Sequence, residues 1–175
     1  MSYTYSKIAS YTVGSGGISE VSFLAIPQNY TDLVIKVSAR TAYTAGSYGD
    51  GLNISFNSST TGYTYRYLQG YDSTASSASG STQLTGLIPD DATAQTANVF
   101  SNNEIYIPNY TNANNKSYSV DNVVEKNGTT NWVLSMYAGL WSNTAAITSI
   151  GLTSSNASTF KQHSTFSLYG IKAEV

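Results

Sequence analysis

The chain has 175 residues, of which 10% are charged, with a formal net charge of −2 and no cysteine. That length suits one domain spanning 1–175 and is too short for two, and without cysteine there are no disulfides, no thiolate chemistry and no cysteine-ligated zinc. Charge far below the roughly 25% of an average soluble domain, with no basic run, lays no track for phosphates, so nucleic acid is not an expected partner.

Polarity comes instead from Ser, Thr, Asn and Gly, with 15 tyrosines. Tyr and Thr suit a pleated, half-buried surface, and Gly, Asn and Ser favour turns, so the composition predicts an all-β protein. Alternating hydrophobicity then marks strands in chain order. Ile8–Val13 reads as a first strand, with Gly14–Gly17 as a hairpin turn. A second runs Ile18–Ile26 with Val21, Phe23 and Ala25 on one face, and Pro27–Asp32 breaks it. Leu33–Thr41 is the clearest strand, setting Leu33, Ile35, Val37 and Ala39 on one face. Residues 42–51 read as an exposed loop, Leu52–Phe56 as a short strand, and Tyr63–Tyr71 as a strand with Tyr63, Tyr65 and Tyr67 together. The serine-rich segment 72–82 has nothing to give a core and reads as an exposed loop.

Asp90–Asn98 is the one stretch that suits a short helix, capped by Asp90 or Asp91. Further strands follow at EIYI, SYSVDNVVEK, NWVLSMYAGLW, ITSIGLT and STFSLYGI, and Asn127-Gly128 is a strong hairpin signal. About ten short strands with little helix predict a two-sheet β-sandwich of jelly-roll type. Its expected core includes Leu33, Ile35, Val37, Leu134, Met136, Phe166 and Leu168, with Trp132 and Trp141 as packing residues. Two bends echo each other, IPQNYT at Pro27 and IPNYT at Pro108.

Candidate chemistry is sparse. His163 is the only histidine and Ser164 stands beside it, but strand neighbours point to opposite faces, and no G-x-S-x-G elbow exists to present a nucleophile. His163 therefore reads as a polar residue at the mouth of the last strand. Acidic residues are scattered singly apart from Asp90-Asp91, which suit a cap or a turn better than a glycosidase pair. No metal site, cofactor or catalytic residue is expected, and the chain does not read as an enzyme. Loop oxygens in Gly46–Gly51 are the one arrangement that suits calcium. Tyr43, Tyr48 and Tyr71 sit in or beside loops, where they suit a protein interface first and a stacked glycan second. The longest apolar runs, Phe23–Ile26 and Leu33–Ile35, fall far short of the ~20 residues of a spanning helix. The start has no charged lead before an apolar core, so a soluble chain without a secretory leader is expected.

Two stretches carry a likeness. Ile8–Gly17 (IASYTVGSGG) with Phe23–Arg40 (FLAIPQNYTDLVIKVSAR), and Trp141–Leu152 with Phe160–Ile171 (FKQHSTFSLYGI), resemble small virion-surface proteins of tailed phages from marine and cyanobacterial hosts. The resemblance implies a virion structural protein with a β-sandwich, most readily a capsid decoration (cement) protein. On that reading its partners are the major capsid protein and itself, as a homotrimer. The alternative is a tail-fibre module binding a receptor or host glycan, and a polysaccharide-degrading enzyme on the same fold ranks third.

Overall fold

The computed structural model describes residues 3–45, 49–92, 96–126 and 132–173. Among them are twelve strands and no helix. They are β1 (Tyr3–Thr12), β2 (Glu20–Phe23), β3 (Asp32–Ser38), β4 (Asp50–Phe56), β5 (Tyr63–Tyr71) and β6 (Thr74–Gly80). The second half adds β7 (Leu84–Ile88), β8 (Asn102–Ile107), β9 (Lys116–Val124), β10 (Val133–Trp141), β11 (Ile150–Ser154) and β12 (Thr165–Ala173). They form two antiparallel sheets, one ordered β1-β12-β3-β8-β9-β10-β5-β6 and the other β2-β11-β4-β7.

Eight of the strands pair in a nested scheme. β1 lies against β12, β2 against β11, β3 against β8, and β4 against β7. This folding of the first half of the chain back on the second is the jelly roll that the alternation predicts. The remaining four strands are two inserted hairpins, β5–β6 and β9–β10. Both join the large sheet beyond β8, with β10 pairing to β5, so that sheet reaches eight strands while the other keeps four.

The core lies between the layers. Leu33, Ile35 and Val37 of β3, Ile105 and Ile107 of β8, and Phe166 and Leu168 of β12 face Val21 and Phe23, Leu52, Ile54 and Phe56, and Ile150 and Leu152 of the small sheet, all buried. The insertions extend this core with aromatics. Phe56, Tyr63 and Trp141 cluster with ring centroids 5.6–6.2 Å apart, and Tyr118 meets Phe56 edge-on. Gly139 leaves room for the Tyr118 ring, since a Cβ there would lie 2.0 Å from it. The two bends that echo in sequence abut, because the buried Tyr110 hydroxyl donates to the Pro27 carbonyl.

Several expectations are corrected. Leu134 and Met136 are not core. They are 56% and 62% exposed, and β10 instead buries Val133, Ser135, Tyr137 and Trp141. Both phases of this strand carry apolar residues, and the aromatic phase wins because it meets Phe56 and Tyr118. Segment 72–82 is exposed but is no loop, since 74–80 form edge strand β6, paired to β5 from Tyr65↔Gly80 to Tyr71↔Thr74. An edge strand needs backbone partners, not core side chains. Loop 42–51 ends early, because Asp50 and Gly51 already belong to β4 and are buried. β2 stops at Phe23, and Ala25 takes a left-handed φ of 50°. Gly14–Gly17 make a crossover between sheets, not a hairpin, since β1 and β2 pair elsewhere. No helix forms at 90–92 or 96–98. Asp90 closes a turn there, its carboxylate accepting the Ala92 N–H at 3.0 Å. Trp141 is buried, whereas Trp132 is half-buried ahead of β10. Asn127-Gly128 lie outside the described residues; the strands on either side pair directly, with Val124 opposite Val133.

Candidate functional site

Antiparallel pairing sends alternate connections to opposite ends. The connections after β1, β3, β5, β7, β9 and β11 share one end of the sandwich, and most of the buried polar side chains gather there. Arg40, just past β3, is the hub. It is 5% exposed, its Nε donates to Asp91 Oδ1 at 3.0 Å, and its Nη1 donates to the Thr96 and Val99 carbonyls at 2.8 and 3.1 Å. Lys161, from the β11–β12 connection, donates to the other oxygen of Asp91. Burial works against the Asp91 charge, but the bonds from Lys161 and Arg40 outweigh it and hold the carboxyl below its usual range. One carboxylate thus ties three connections together.

Asp50 does the same between β4 and β11. It is fully buried, accepting Ser154 Oγ at 2.5 Å on one oxygen, and Asn156 Nδ2 at 2.9 Å and Ser155 Oγ at 3.2 Å on the other. Its carboxylate is taken up by these donors; residues 46–48 of the loop that suits calcium by sequence lie outside the described residues. No group of three or more acidic or histidine side chains capable of holding a metal occurs among the described residues. Deeper still, Asp90 Oδ2 and Lys126 Nζ are buried with no hydrogen-bond partner among the described residues. Burial pulls the Lys126 ammonium down to about 8, against the attraction of Asp90 and Asp72. It also pushes the Asp90 carboxyl up, against the Ala92 N–H and Lys126.

Above this network the surface holds two shallow clefts. One, of about 250 Å³, is bounded by Arg40, Asp91, Asn98, Phe100, Lys161 and His163. The other, of about 260 Å³, lies between Gly16, Gly17, Ala42 and Phe160. Lys161 and Gln162 border both and form the ridge between them.

The serine beside the lone histidine is sealed away from these clefts. Ser164 is fully buried, its Oγ accepting the Arg40 N–H at 3.1 Å and donating to the Arg40 carbonyl at 3.3 Å. His163 is exposed at the cleft rim, in a turn closed by the Ser164 N–H on the Lys161 carbonyl, with a left-handed φ of 74°. The two side chains have separate jobs, one locking β12 to the end of β3 and one facing solvent.

Two of the three sequence-predicted tyrosines, Tyr43 and Tyr71, share this end without sharing a cleft. Tyr43 is half-buried next to the network, its carbonyl accepting the Asp91 N–H at 2.6 Å. Tyr71 ends β5, one strand in from the edge, and neither tyrosine lines these two clefts. Tyr48 lies outside the described residues. Sequence reading misses Arg40, Lys161 and Lys126 as members of the site. Their signal is rarity, since the whole chain holds 8 basic residues, and Arg40 follows directly on the most apolar strand.

Compared with family models, with curated proteins and with solved structures, the chain has no match.

Proposed function

We propose that this chain is a structural protein of a tailed-phage virion, a capsid decoration protein that grips the outer shell through its loop-bearing end. The observation that carries the reading is the construction of that end. Arg40, Asp91 and Lys161 cross-link three connections, and Asp50 adds a second tie between two of them, so the clefts and the Lys161–Gln162 ridge are fixed before any partner arrives. A preorganised surface loses little side-chain and loop freedom on binding, which suits a small domain that must hold a large rigid particle.

The phage element of the proposal rests on the resemblance in Ile8–Gly17, Phe23–Arg40, Trp141–Leu152 and Phe160–Ile171. Those stretches hold all of β3, most of β12 and the second half of β1, which are adjacent in one sheet. On this reading the protein works on the particle surface, with the major capsid protein as partner.

A tail-fibre module binding a receptor or host glycan is the second reading, favoured by the clefts themselves, where Phe100, Asn98 and His163 offer one apolar and two polar contacts. One experiment separates the two. Purified protein is sedimented with undecorated shells and, in parallel, passed over immobilised host polysaccharide. Binding to shells, lost in Gln162→Trp, which alters the ridge without touching the Arg40–Asp91 bond, is the expected result. Retention on polysaccharide with no affinity for shells overturns decoration in favour of the fibre module.

A further inference from the structure

We propose that the chain pairs face to face with a second copy of itself through the outer surface of the two inserted hairpins, β9–β10 and β5–β6. The inference does not depend on the virion reading.

The outer surface of the large sheet changes character along its width. Over β3 and β8 it is polar, with Lys36 and Glu104 joined at 3.0 Å. Over the insertions it is apolar. Leu68 of β5 lies directly opposite Met136 of β10, and Leu134, two residues along, lies opposite Val123 of β9. These four are 61%, 62%, 56% and 37% exposed, with Ala138 continuing the strip on β10. The jelly roll does not need these strands to close its core, and they place large apolar side chains in water where Ser or Thr would serve an unpartnered face. Beside them β6 presents only Ala75, Ser77 and Ser79 outward, short side chains that let a partner surface approach.

Charge decides which partner fits. The strip is flanked by Arg66 on β5 and Asp121 on β9, both exposed, and neither joins the described ion pairs. Arg66 stands opposite Ala138, and Asp121 opposite Met136. With strands ~4.8 Å apart and ~6.8 Å per two residues, the midpoint between the two charges falls on β10, between Met136 and Ala138. A two-fold axis lying along the contact plane at that point, perpendicular to the line joining the charges, sets Arg66 of each copy on Asp121 of the other. The same operation brings Met136 of one copy towards Leu68 of its mate. A surface that carries both halves of its own complement in this arrangement is what an isologous interface requires.

The size is adequate. The four strands, each 7 or 9 residues long, cover about 19 by 27 Å, or ~500 Å² in projection. Side-chain relief raises the accessible area towards the ~800 Å² per partner of a standard interface. The pairing is two-fold, in contrast to the three copies that the resemblance implies, because the complementary charges sit on one face.

Sedimentation velocity of the full chain across a concentration series tests this. A monomer–dimer equilibrium is expected, displaced to monomer by Met136→Glu and, as a second apolar variant should Met136→Glu melt early, by Leu68→Gln. Arg66→Asp and Asp121→Arg should each weaken the dimer on their own. Mixed in equal amounts, those two variants should restore it, since each then supplies the charge the other lacks. A chain that is monomeric at every concentration overturns the proposal, as does a trimer. So does a dimer indifferent to these substitutions, or one that the mixture fails to restore.

Discussion

His163 occupies the third position of the Lys161–Ser164 turn, where a positive φ is required and glycine or asparagine is the ordinary choice. Its backbone is fixed there by donating to the Val13 carbonyl at 3.0 Å, so the turn joins the end of β1 to the start of β12. The conformation, not the imidazole, is what the fold uses. His163→Asn should change stability by less than about 0.5 kcal/mol, whereas His163→Val should lower it by about 1–2 kcal/mol, because a β-branched residue is strained at positive φ; chemical denaturation of the three proteins checks both. Asp91 is a different case. Removing its carboxylate leaves Arg40 buried with an unpaired charge, so Asp91→Ala should cost about 3 kcal/mol and loosen the connections that frame the cleft beside His163.

Among the elements, one inserted side chain ties the hairpins to β7 of the small sheet, beside the aromatic packing of Tyr63, Tyr118 and Trp141 on Phe56 of β4. Asn122 of β9 faces inward and behaves towards β7 like another strand, its Oδ1 accepting the Leu87 N–H at 3.1 Å and its Nδ2 donating to the Leu87 carbonyl at 2.7 Å. Ser135 of β10 and Asn103 of β8 complete the network at 2.9 and 2.5 Å. Asn122→Ala strands several buried polar groups at once, each worth about 1–3 kcal/mol when left unpaired. The variant should lose at least about 3 kcal/mol, read as a lower urea midpoint. Gly139→Ala should also destabilise, by about 1–3 kcal/mol, since its new methyl would fall on the Tyr118 ring. An unchanged midpoint in both variants would mean that β9 and β10 are held by backbone pairing alone.

Over the whole molecule, buried titrating groups shape the response to pH. Lys126 titrates near 8 in the folded protein against an ordinary 10.5, so between those values the unfolded chain binds more protons and stability rises with pH. Tyr63 is pushed by burial from 10.0 to about 12, and burial raises Tyr118 and Tyr137 in the same direction. Above pH 10 the folded state therefore keeps protons that the unfolded state has lost, and stability falls. The melting temperature should climb from pH 8 to about 10 and drop beyond it. Lys126→Met should flatten the climb and leave the fall intact; a climb that survives the substitution would assign it to another group.

The sequence by itself determined the class of fold and most of its strands. Period-two alternation in β4 and β8 has one apolar phase and one mostly polar phase, and in β3 and β12 one phase is the more apolar, so Leu33, Ile35, Val37, Phe166 and Leu168 are core as expected. It could not orient β10, whose two phases are both apolar; the choice rests on Phe56, Tyr118 and Asn122, which reach it from β4 and β9. Nor could it find β6, because an edge strand is specified by the backbone it completes and its Ser/Ala pattern has no inward face to recognise. The polar end is a tertiary product for the same reason. Arg40, Asp91 and Lys161 are separated by 51 and 70 residues, and only the nested pairing of the jelly roll brings their connections together, where desolvation makes each charge depend on the others.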